Sequence, residues 1–376
     1  MNRLQKTLMI AAAVCCLGLA GCGGETSSTV AETNVSAGTE APVQTTQAAA
    51  PETTAAPETT APAEEAGHEG EKRSYLTGLW TDEEKVDRRP IAVMLNNIKK
   101  ATPQTGISRA AIIYEAPVEG MITRLMGIFE DYDDLDKIGS VRSARTYYVF
   151  WANQWDCIYA HFGQCDYANP YLDQTDNLNG VKGIGTTVYY RTTDRKAPHN
   201  AYTSAEGLEA GIEKMGYRTQ HEADYDRGVF LFADEPGAIT LENGQDATYV
   251  YPGYRRTNEI YFEYDEATQK YLRFQYGDKQ IDDMTGEQLA VDNIIIQYNS
   301  WEYYYETTSY LFINLWTSGE GWYITQGKAI PITWVGGVEY EPTKYYDADG
   351  NELVINPGQT WVCTVLEENA KDTVIE

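Results

Sequence analysis

Residues 89–97 read Arg-Pro-Ile-Ala-Val-Met-Leu-Asn-Asn, and this stretch indicates the class of fold. Its apolar run from Ile91 to Leu95 is unbroken and is bounded by proline and two asparagines, which predicts a strand buried on both faces. Strand and helix patterns alternate through the residues that follow, as is typical of helices packed on a sheet. The other elements predicted here are strands at 110–115, 122–129, 157–162 and 229–233, a helix at 142–155, and a helix from the capping sequence at 203–206 to about residue 216.

Beyond about residue 240 the pattern changes to short alternating strands separated by turn residues such as Pro357-Gly358. No long amphipathic helix is predicted there. We therefore predict an α+β fold, with a mixed α/β N-terminal domain over residues 75–238 and a mostly β C-terminal domain over residues 239–376.

The first residues of the chain have the pattern of a lipoprotein signal. Two basic residues precede an apolar run from Leu8 to Ala20, which is shorter than the roughly 20 residues that span a bilayer as a helix. Such a run is typical of a secretory signal. It ends in Leu19-Ala20-Gly21-Cys22, which resembles a lipobox. We predict a signal peptide over residues 1–21 and lipidation at Cys22.

Residues 22–74 are rich in Thr, Ala, Pro and Glu. A segment of this composition cannot bury enough apolar area to offset its ordering entropy, which predicts a disordered tether. The prediction places the folded part at the extracytoplasmic face of the cell membrane, lipid-anchored and held away from the lipid.

The chain is strongly acidic, with 56 Asp and Glu residues, 29 Lys and Arg residues and a net charge of -27. Nucleic acid is excluded as a general partner because its phosphates would be repelled, and an anionic bilayer would not attract the chain by charge. Dinucleotide-binding, P-loop, zinc-protease and EF-hand motifs are absent from the sequence, so no cofactor and no metal are predicted.

Basic residues cluster in two places in this acidic chain. If Ser140 caps the predicted helix, Arg142 and Arg145 share one face near its N-terminus, where anions bind well. The predicted ligand-binding residues are Arg124, Arg142, Arg145, Arg195, Lys196, His199 and Asn200. They form either a pocket for a phosphate or carboxylate, or internal ion pairs with Glu115, Glu119, Glu130 or Asp131.

A second feature is His161-Phe162-Gly163-Gln164-Cys165, where a predicted strand ends in a loop. A cysteine near a histidine can act as nucleophile and base, so Cys165 and His161 are the candidate catalytic residues. Zinc binding by His161, Cys165 and His199 is a second interpretation, which lacks a fourth ligand. The third is a buried cysteine beside a hydrogen-bonded histidine.

Seven motifs carry a resemblance to a known family, at residues 89–97, 103–108, 113–115, 119–124, 137–145, 195–200 and 358–361. They resemble the YerB-like lipoproteins of Gram-positive bacteria, over roughly residues 80 to 366. The resemblance implies an N-terminal and a C-terminal domain and no catalytic residues, since the family has no assigned function. The chain departs from the family where His161 to Cys165 replaces a His-x-Gly-Gly-Ser pattern.

Together these features favour a non-catalytic envelope protein. We expect it to bind an anionic cell-wall polymer or another envelope protein through the residues around Arg124, Arg142, Arg145 and His199. The alternative is a peptidoglycan-directed hydrolase or transferase that uses Cys165 with His161.

Overall fold

The computed structural model describes residues 67–223, 225, 228–254, 258–305, 309–338 and 340–376. The predicted signal peptide, Cys22 and most of the predicted tether lie outside these residues. Within the described part of the chain, none of the helices has both the length and the apolar character needed to cross a membrane.

The first half of the described chain contains strands and short helices in alternation. Its strands are β1 (Glu71–Arg73), β2 (Trp80–Asp82), β3 (Ile91–Asn96), β4 (Ile112–Pro117), β5 (Thr123–Phe129), β6 (Ile138–Gly139), β7 (Ile158–His161), β8 (Asn177–Asn179), β9 (Tyr190–Arg191) and β10 (Ala201–Thr203). Its α-helices are α1 (Glu83–Asp87), α2 (Thr146–Gln154), α3 (Asn169–Leu172), α4 (Gly185–Val188) and α5 (Ala205–Met215). Its 3₁₀ turns are Lys99–Ala101, Ile107–Arg109, Glu119–Met121 and Asp166–Ala168.

The second half is mostly β. Its strands are β11 (Leu231–Phe232), β12 (Gln245–Asp246), β13 (Tyr249–Tyr251), β14 (Tyr261–Asp265), β15 (Lys270–Gln275), β16 (Asp278–Lys279), β17 (Ala290–Val291), β18 (Asn293–Asn299), β19 (Trp301–Tyr303), β20 (Leu311–Ile313), β21 (Ser318–Thr325), β22 (Lys328–Val335), β23 (Lys344–Tyr346), β24 (Val354–Ile355), β25 (Thr360–Leu366) and β26 (Val374–Ile375). A 3₁₀ turn covers Glu367–Asp372. The predicted α+β class, with a mostly β C-terminal part, is confirmed.

The largest sheet among the described residues contains eleven strands. Its order is β12-β22-β21-β18-β25-β4-β5-β3-β7-β8, with β23 paired to β22. Strand β25 lies parallel to both neighbours, so that Thr360 is opposite Asn293 of β18 on one side and Ile112 of β4 on the other. The two halves of the chain therefore contribute to one continuous sheet. The division into domains at residues 238 and 239 stays a prediction.

Both faces of this sheet are covered, which is why its central strands are buried along nearly their whole length and are mostly apolar. Side chains alternate between the faces along a strand. On one face Met94 packs in a core with Trp151 of α2, a helix buried on nearly all sides. On the other face Leu95 packs in a core with Leu208 of α5 and with Phe262 of a second sheet. That second sheet has the order β16-β15-β14-β13-β26, with β17 paired to β15.

The helix predicted over 142–155 begins later than expected, at Thr146. The preceding residues are extended because they pair with strand β3: the Arg142 N–H donates to the Met94 carbonyl at 2.9 Å. Arg145 has φ -130° and ψ 157°, outside the helical region. Ser140 therefore does not cap α2, and its carbonyl accepts from the backbone of strand β3 instead.

Helix α5 follows its predicted bounds with a shift of one residue at the start. The cap is Ser204, whose Oγ accepts from the Gly207 N–H at 3.2 Å. Thr203, the first residue of the predicted capping box, instead ends β10 and donates to the Val188 carbonyl at 2.7 Å. The helix ends at Gly216, whose φ of 69° lies in the left-handed region that glycine tolerates.

The folded structure starts a few residues before the predicted end of the tether at residue 74. Strand β1 pairs antiparallel with β2, with Arg73 opposite Trp80. His68, which also falls in the predicted tether, stacks on Trp80 with ring centroids 3.9 Å apart. Because tryptophan gives this short hairpin an apolar surface to pack on, residues of ordinary linker composition become ordered.

Candidate functional site

The segment 139–145 crosses the C-terminal ends of β3 and β7, which are parallel neighbours in the large sheet. Its backbone binds both strands. In addition to the bond to Met94, the Arg142 carbonyl accepts from the Phe162 N–H at 2.9 Å. This crossing brings Arg142 and Arg145 close to Arg124 of β5, although they do not share a helix face.

Glu119 is shared by two of the predicted arginines. Arg145 binds it in a bidentate manner, with Nε 2.5 Å from Oε1 and Nη2 2.6 Å from Oε2. Arg124 Nη2 lies 3.7 Å from Oε2, and its Nη1 donates to the Ser143 carbonyl at 2.5 Å. Burial and the charges of Arg145 and Arg142 lower the pKa of Arg124 to about 10. The three arginines therefore keep a surplus of positive charge beside Glu119.

The other carboxylates predicted as partners of this group bind elsewhere. They are Glu115, which binds Arg273, Glu130, which accepts from Ser74, and Asp131, which binds Lys85 and Arg109. Glu119 therefore forms internal ion pairs of the kind that one of the two predicted arrangements describes. The pocket for a phosphate or carboxylate stays a prediction.

Lys100, Lys196 and His199 lie near Arg142, and we call these four residues the basic surface. Burial lowers the pKa of His199, and the positive charges of Arg142, Lys100 and Arg195 lower it further. Within the described ranges, Lys100, Arg142 and Lys196 have no carboxylate within 4.0 Å. Positive charge is therefore concentrated here, and among the described residues no direct ion pair neutralises these three cations, in a chain of net charge -27.

Arg195 and Asn200, two of the predicted ligand-binding residues, mainly support the surrounding loops. Arg195 donates to the carbonyls of Ala101 and Pro103 at 2.7 and 2.9 Å. Asn200 is buried, and its Oδ1 accepts from Arg191 Nη1 at 2.8 Å. These contacts hold in place the loops that contain Lys100 and Lys196 of the basic surface.

The sequence prediction missed Lys100 and Arg191. Lys100 follows another lysine directly after the Asn96-Asn97 motif, and Arg191 lies four positions before Arg195. A search for short basic stretches in the acidic chain would have found both residues. Their proximity to the predicted basic residues arises only in the tertiary structure.

The imidazole of His161 is fully buried and both of its nitrogens are engaged. Nδ1 lies 2.8 Å from the Gly163 carbonyl and Nε2 lies 3.1 Å from Asn177 Oδ1. The Asn177 amide is fixed in this orientation because its Nδ2 donates to two backbone carbonyls. Burial lowers the pKa of His161 to about 4. The ring is not arranged to accept a proton from a neighbouring thiol.

Cys165 is also buried, with 2% of its surface exposed. Burial raises the pKa of its thiol, which disfavours the nucleophilic thiolate. Among the described residues, no hydrogen bond connects Cys165 with His161. The geometry therefore gives no support to the predicted catalytic pair, and it favours the interpretation of a buried cysteine beside a hydrogen-bonded histidine.

The zinc interpretation also finds no support. In the part of the chain that the structure describes, no group of three or more His, Cys, Asp or Glu side chains is arranged to hold a metal ion. His199 is separately engaged, since its Nδ1 lies 3.0 Å from Asn96 Nδ2.

The three described cysteines are expected to be unreactive in the native chain. Cys157, Cys165 and Cys363 are free and buried, and burial raises the pKa of each thiol. Modification by a disulfide reagent at pH 7.5 should be roughly 100-fold or more slower than in denaturant, because local opening must precede it. Mass spectrometry of timed aliquots gives the rate for each cysteine. Native labelling of Cys165 at the denatured rate would contradict the expectation and revive the nucleophile hypothesis.

Comparisons with known proteins agree with this fold and define the class of protein. A family model described as "Protein of unknown function (DUF3048) N-terminal domain" matches residues 76–218, and the corresponding C-terminal domain model matches residues 249–362. The chain therefore belongs to the DUF3048 family.

Two findings relate the chain to one particular relative. A protein named "Putative lipoprotein YerB", from Bacillus subtilis strain 168, is 33% identical over 299 residues, which cover 78% of this chain and 86% of the relative. A crystal structure of the YerB protein from Bacillus subtilis has a TM-score of 0.70 at 30% identity, and covers 81% of this chain and 99% of that one. The predicted resemblance to YerB-like proteins is confirmed.

Proposed function

We propose that this chain is a lipoprotein of the cell envelope that binds an anionic envelope polymer through the basic surface. Two observations support the location. The lipobox pattern at Leu19-Ala20-Gly21-Cys22 predicts a lipid anchor outside the cytoplasm. The Bacillus subtilis relative carries the name "Putative lipoprotein YerB". Anchoring through Cys22 would place the folded part at the outer face of the membrane.

The basic surface is the observation that carries the proposed binding activity. In a chain with 56 acidic and 29 basic residues, most cations find a carboxylate nearby. Lys100, Arg142 and Lys196 have none within 4.0 Å in the described residues. Repulsion between neighbouring cations is consistent with two lowered pKa values, in each case after the effect of burial. Arg142 and Lys100 lower the pKa of His199, and Arg145 lowers the pKa of Arg142. An anion placed here would relieve that repulsion and gain charge-assisted hydrogen bonds.

An anionic wall polymer fits this surface better than a lipid headgroup does. The predicted tether would hold the folded part away from the bilayer, and the net charge of -27 opposes approach to anionic lipid. A phosphate-bearing polymer such as teichoic acid presents repeated oxyanions at the distance from the membrane where the domain would lie.

The test is a binding titration of the purified chain with wall teichoic acid. The variant Arg142→Ala/Lys196→Ala removes two cations that have no carboxylate partner. We expect it to weaken binding roughly 100-fold, because each charged contact is worth about 1.4 kcal/mol or more. Isothermal calorimetry at two salt concentrations gives the dissociation constant and its salt dependence, which should also fall.

The matched control is Lys270→Ala/Lys328→Ala, which changes the net charge equally. Both control lysines already bind carboxylates, at 2.9 Å to Asp292 and 2.6 Å to Asp246. Binding should stay close to the wild-type value in this control. Equal affinity in the two double variants, or no binding by the wild type, would contradict the proposal.

A further inference from the structure

A cavity of about 420 Å³ opens beside the basic surface, at the end of strand β7. Its size falls within the range of small-molecule sites in proteins. Its walls include the aromatic rings of Phe162 and Tyr190, the side chains of Lys182 and Arg191, and the backbone of Gly183. None of these five residues belongs to the predicted site.

Arg191 is held in place at the rim of this cavity. Its guanidinium lies over the ring of Phe162, 4.6 Å from the centroid, and its Nη1 donates to Asn200 Oδ1 at 2.8 Å. A guanidinium has five N–H donors. The remaining donors of Arg191 have no acceptor among the described residues. A planar cation that is already oriented, with donors to spare, is well suited to bind an oxyanion in a bidentate manner.

Lys182 supplies a second cation to the same cavity. Its side chain is exposed, and like Arg191 it has no carboxylate within 4.0 Å in the residues that the structure describes. Two unpaired cations at one cavity favour a group that carries more than one negative charge. A phosphate has this charge and three acceptor oxygens, whereas a carboxylate has one charge and two oxygens.

The backbone links the cavity to the basic surface. The Phe162 N–H donates to the Arg142 carbonyl at 2.9 Å, and Asn200, which positions Arg191, directly follows His199. Because these residues are neighbours in the fold, we expect a chain of anionic groups bound at the basic surface to extend toward the cavity.

We propose that this cavity binds one phosphorylated polyol or sugar unit, with Arg191 and Lys182 at the phosphate and Phe162 and Tyr190 beside the carbon skeleton. The inference rests on the proposed function in one respect, since it names the unit of the anionic polymer that is recognised. The cavity itself is separate from the four residues of the basic surface.

Gly183 allows a test that blocks the cavity without disturbing the fold. A Cβ built at Gly183 meets no atom within 4 Å, and the backbone there has no positive φ. Because Gly183 lines the cavity and a Cβ there has open space around it, we expect a leucine at this position to narrow the cavity opening. Gly180 is unsuitable because a Cβ there would lie 2.2 Å from the ring of Phe162.

The experiment titrates glycerol 3-phosphate and glucose 1-phosphate into the wild-type chain, Gly183→Leu, Arg191→Gln and the control Lys270→Ala/Lys328→Ala. Wild type and control should bind at least one of the two phosphates saturably, and both cavity variants should bind it roughly tenfold or more weakly. Glycerol and glucose should not bind. Chemical shift changes in the amides of residues 180–185 would locate the site.

Unchanged phosphate binding by Gly183→Leu, or no saturable binding by the wild type, would overturn the inference. The two proposals fail separately. If Arg142→Ala/Lys196→Ala loses teichoic acid but Gly183→Leu retains both ligands, the polymer site stands and the cavity assignment is wrong. If the small phosphates bind in the cavity but the wild type does not bind the polymer, the cavity assignment stands and the proposed function is wrong.

Discussion

Replacing Arg273 with methionine is expected to lower the free energy of unfolding by about 3–5 kcal/mol, because it leaves a buried carboxylate without its counter-charge. Arg273 of β15 and Glu115 of β4 are both fully buried, and Nη2 lies 2.7 Å from Oε2. The guanidinium is also stacked between the rings of Phe262 and Trp361, at 4.7 and 4.6 Å from their centroids. The pair joins the second sheet to the large sheet, so its loss affects both halves of the chain.

The effect of Arg273→Met should grow with pH. Burial raises the pKa of Glu115 even when Arg273 is present, and removing the cation raises it further. A carboxyl group whose pKa is higher in the folded state than in the unfolded state loses stability as pH rises through that interval. Urea unfolding of the variant should therefore show a larger deficit at pH 8 than at pH 5.

Two further variants serve as controls for this prediction. Lys270→Met lies on the same strand but breaks a partly exposed pair with Asp292, and it should cost only about 1 kcal/mol or less. Glu115→Gln/Arg273→Met removes both charges and should recover part of the lost stability. A loss for Arg273→Met no larger than that for Lys270→Met would show that the buried pair is not needed for the fold.

Acidification from pH 7 to pH 4 is expected to cost about 3 kcal/mol of stability through His161 alone, since each pKa unit corresponds to about 1.4 kcal/mol. Burial lowers the pKa of the folded ring from 6.5 to about 4. The neighbouring Gly163 and Asn177 oxygens favour the charged ring, but the loss of hydration outweighs them. As pH falls below 6.5, the unfolded chain takes up the proton first, so stability declines through the window from 6.5 to 4.

Urea unfolding of wild type and His161→Gln at half-unit steps of pH checks this expectation. Whatever the stability of the variant at pH 7, its decline between pH 6.5 and pH 4 should be smaller than that of the wild type by about 3 kcal/mol. His199→Gln is the comparison, because the ring of His199 is only partly buried and should change the slope less. An unchanged slope in His161→Gln would show that another group causes the acid sensitivity.

Strands of the large sheet could be predicted from the sequence where burial on both faces produces a continuous apolar run. The apolar run from Ile91 to Leu95 corresponds to β3, and the cap and glycine terminator located α5 within one residue. The start of α2 was not predictable in the same way. Residues 140–145 have no strong strand pattern, and they are extended because the backbone of Arg142 binds Met94, a partner distant in sequence.

The candidate site, like the fold, could be predicted only in part from the sequence. The sequence placed Arg124, Arg142 and Arg145 in one group because two of them are close along the chain, and the fold does bring their charges together. It did not identify which carboxylate binds them, since Glu119 was one of four. The orientation of Arg191 was also not predictable, because it depends on contacts with Phe162 and Asn200, which are distant from each other in the sequence.

The central position of β25 has a consequence for how this chain folds. Strand β4 is synthesised long before residues 360–366, so the middle of the large sheet stays open until those residues are available to pair. Such late, long-range pairing slows folding. A chain truncated before β25 would expose the edges of β4 and β18, and exposed strand edges favour pairing with other chains.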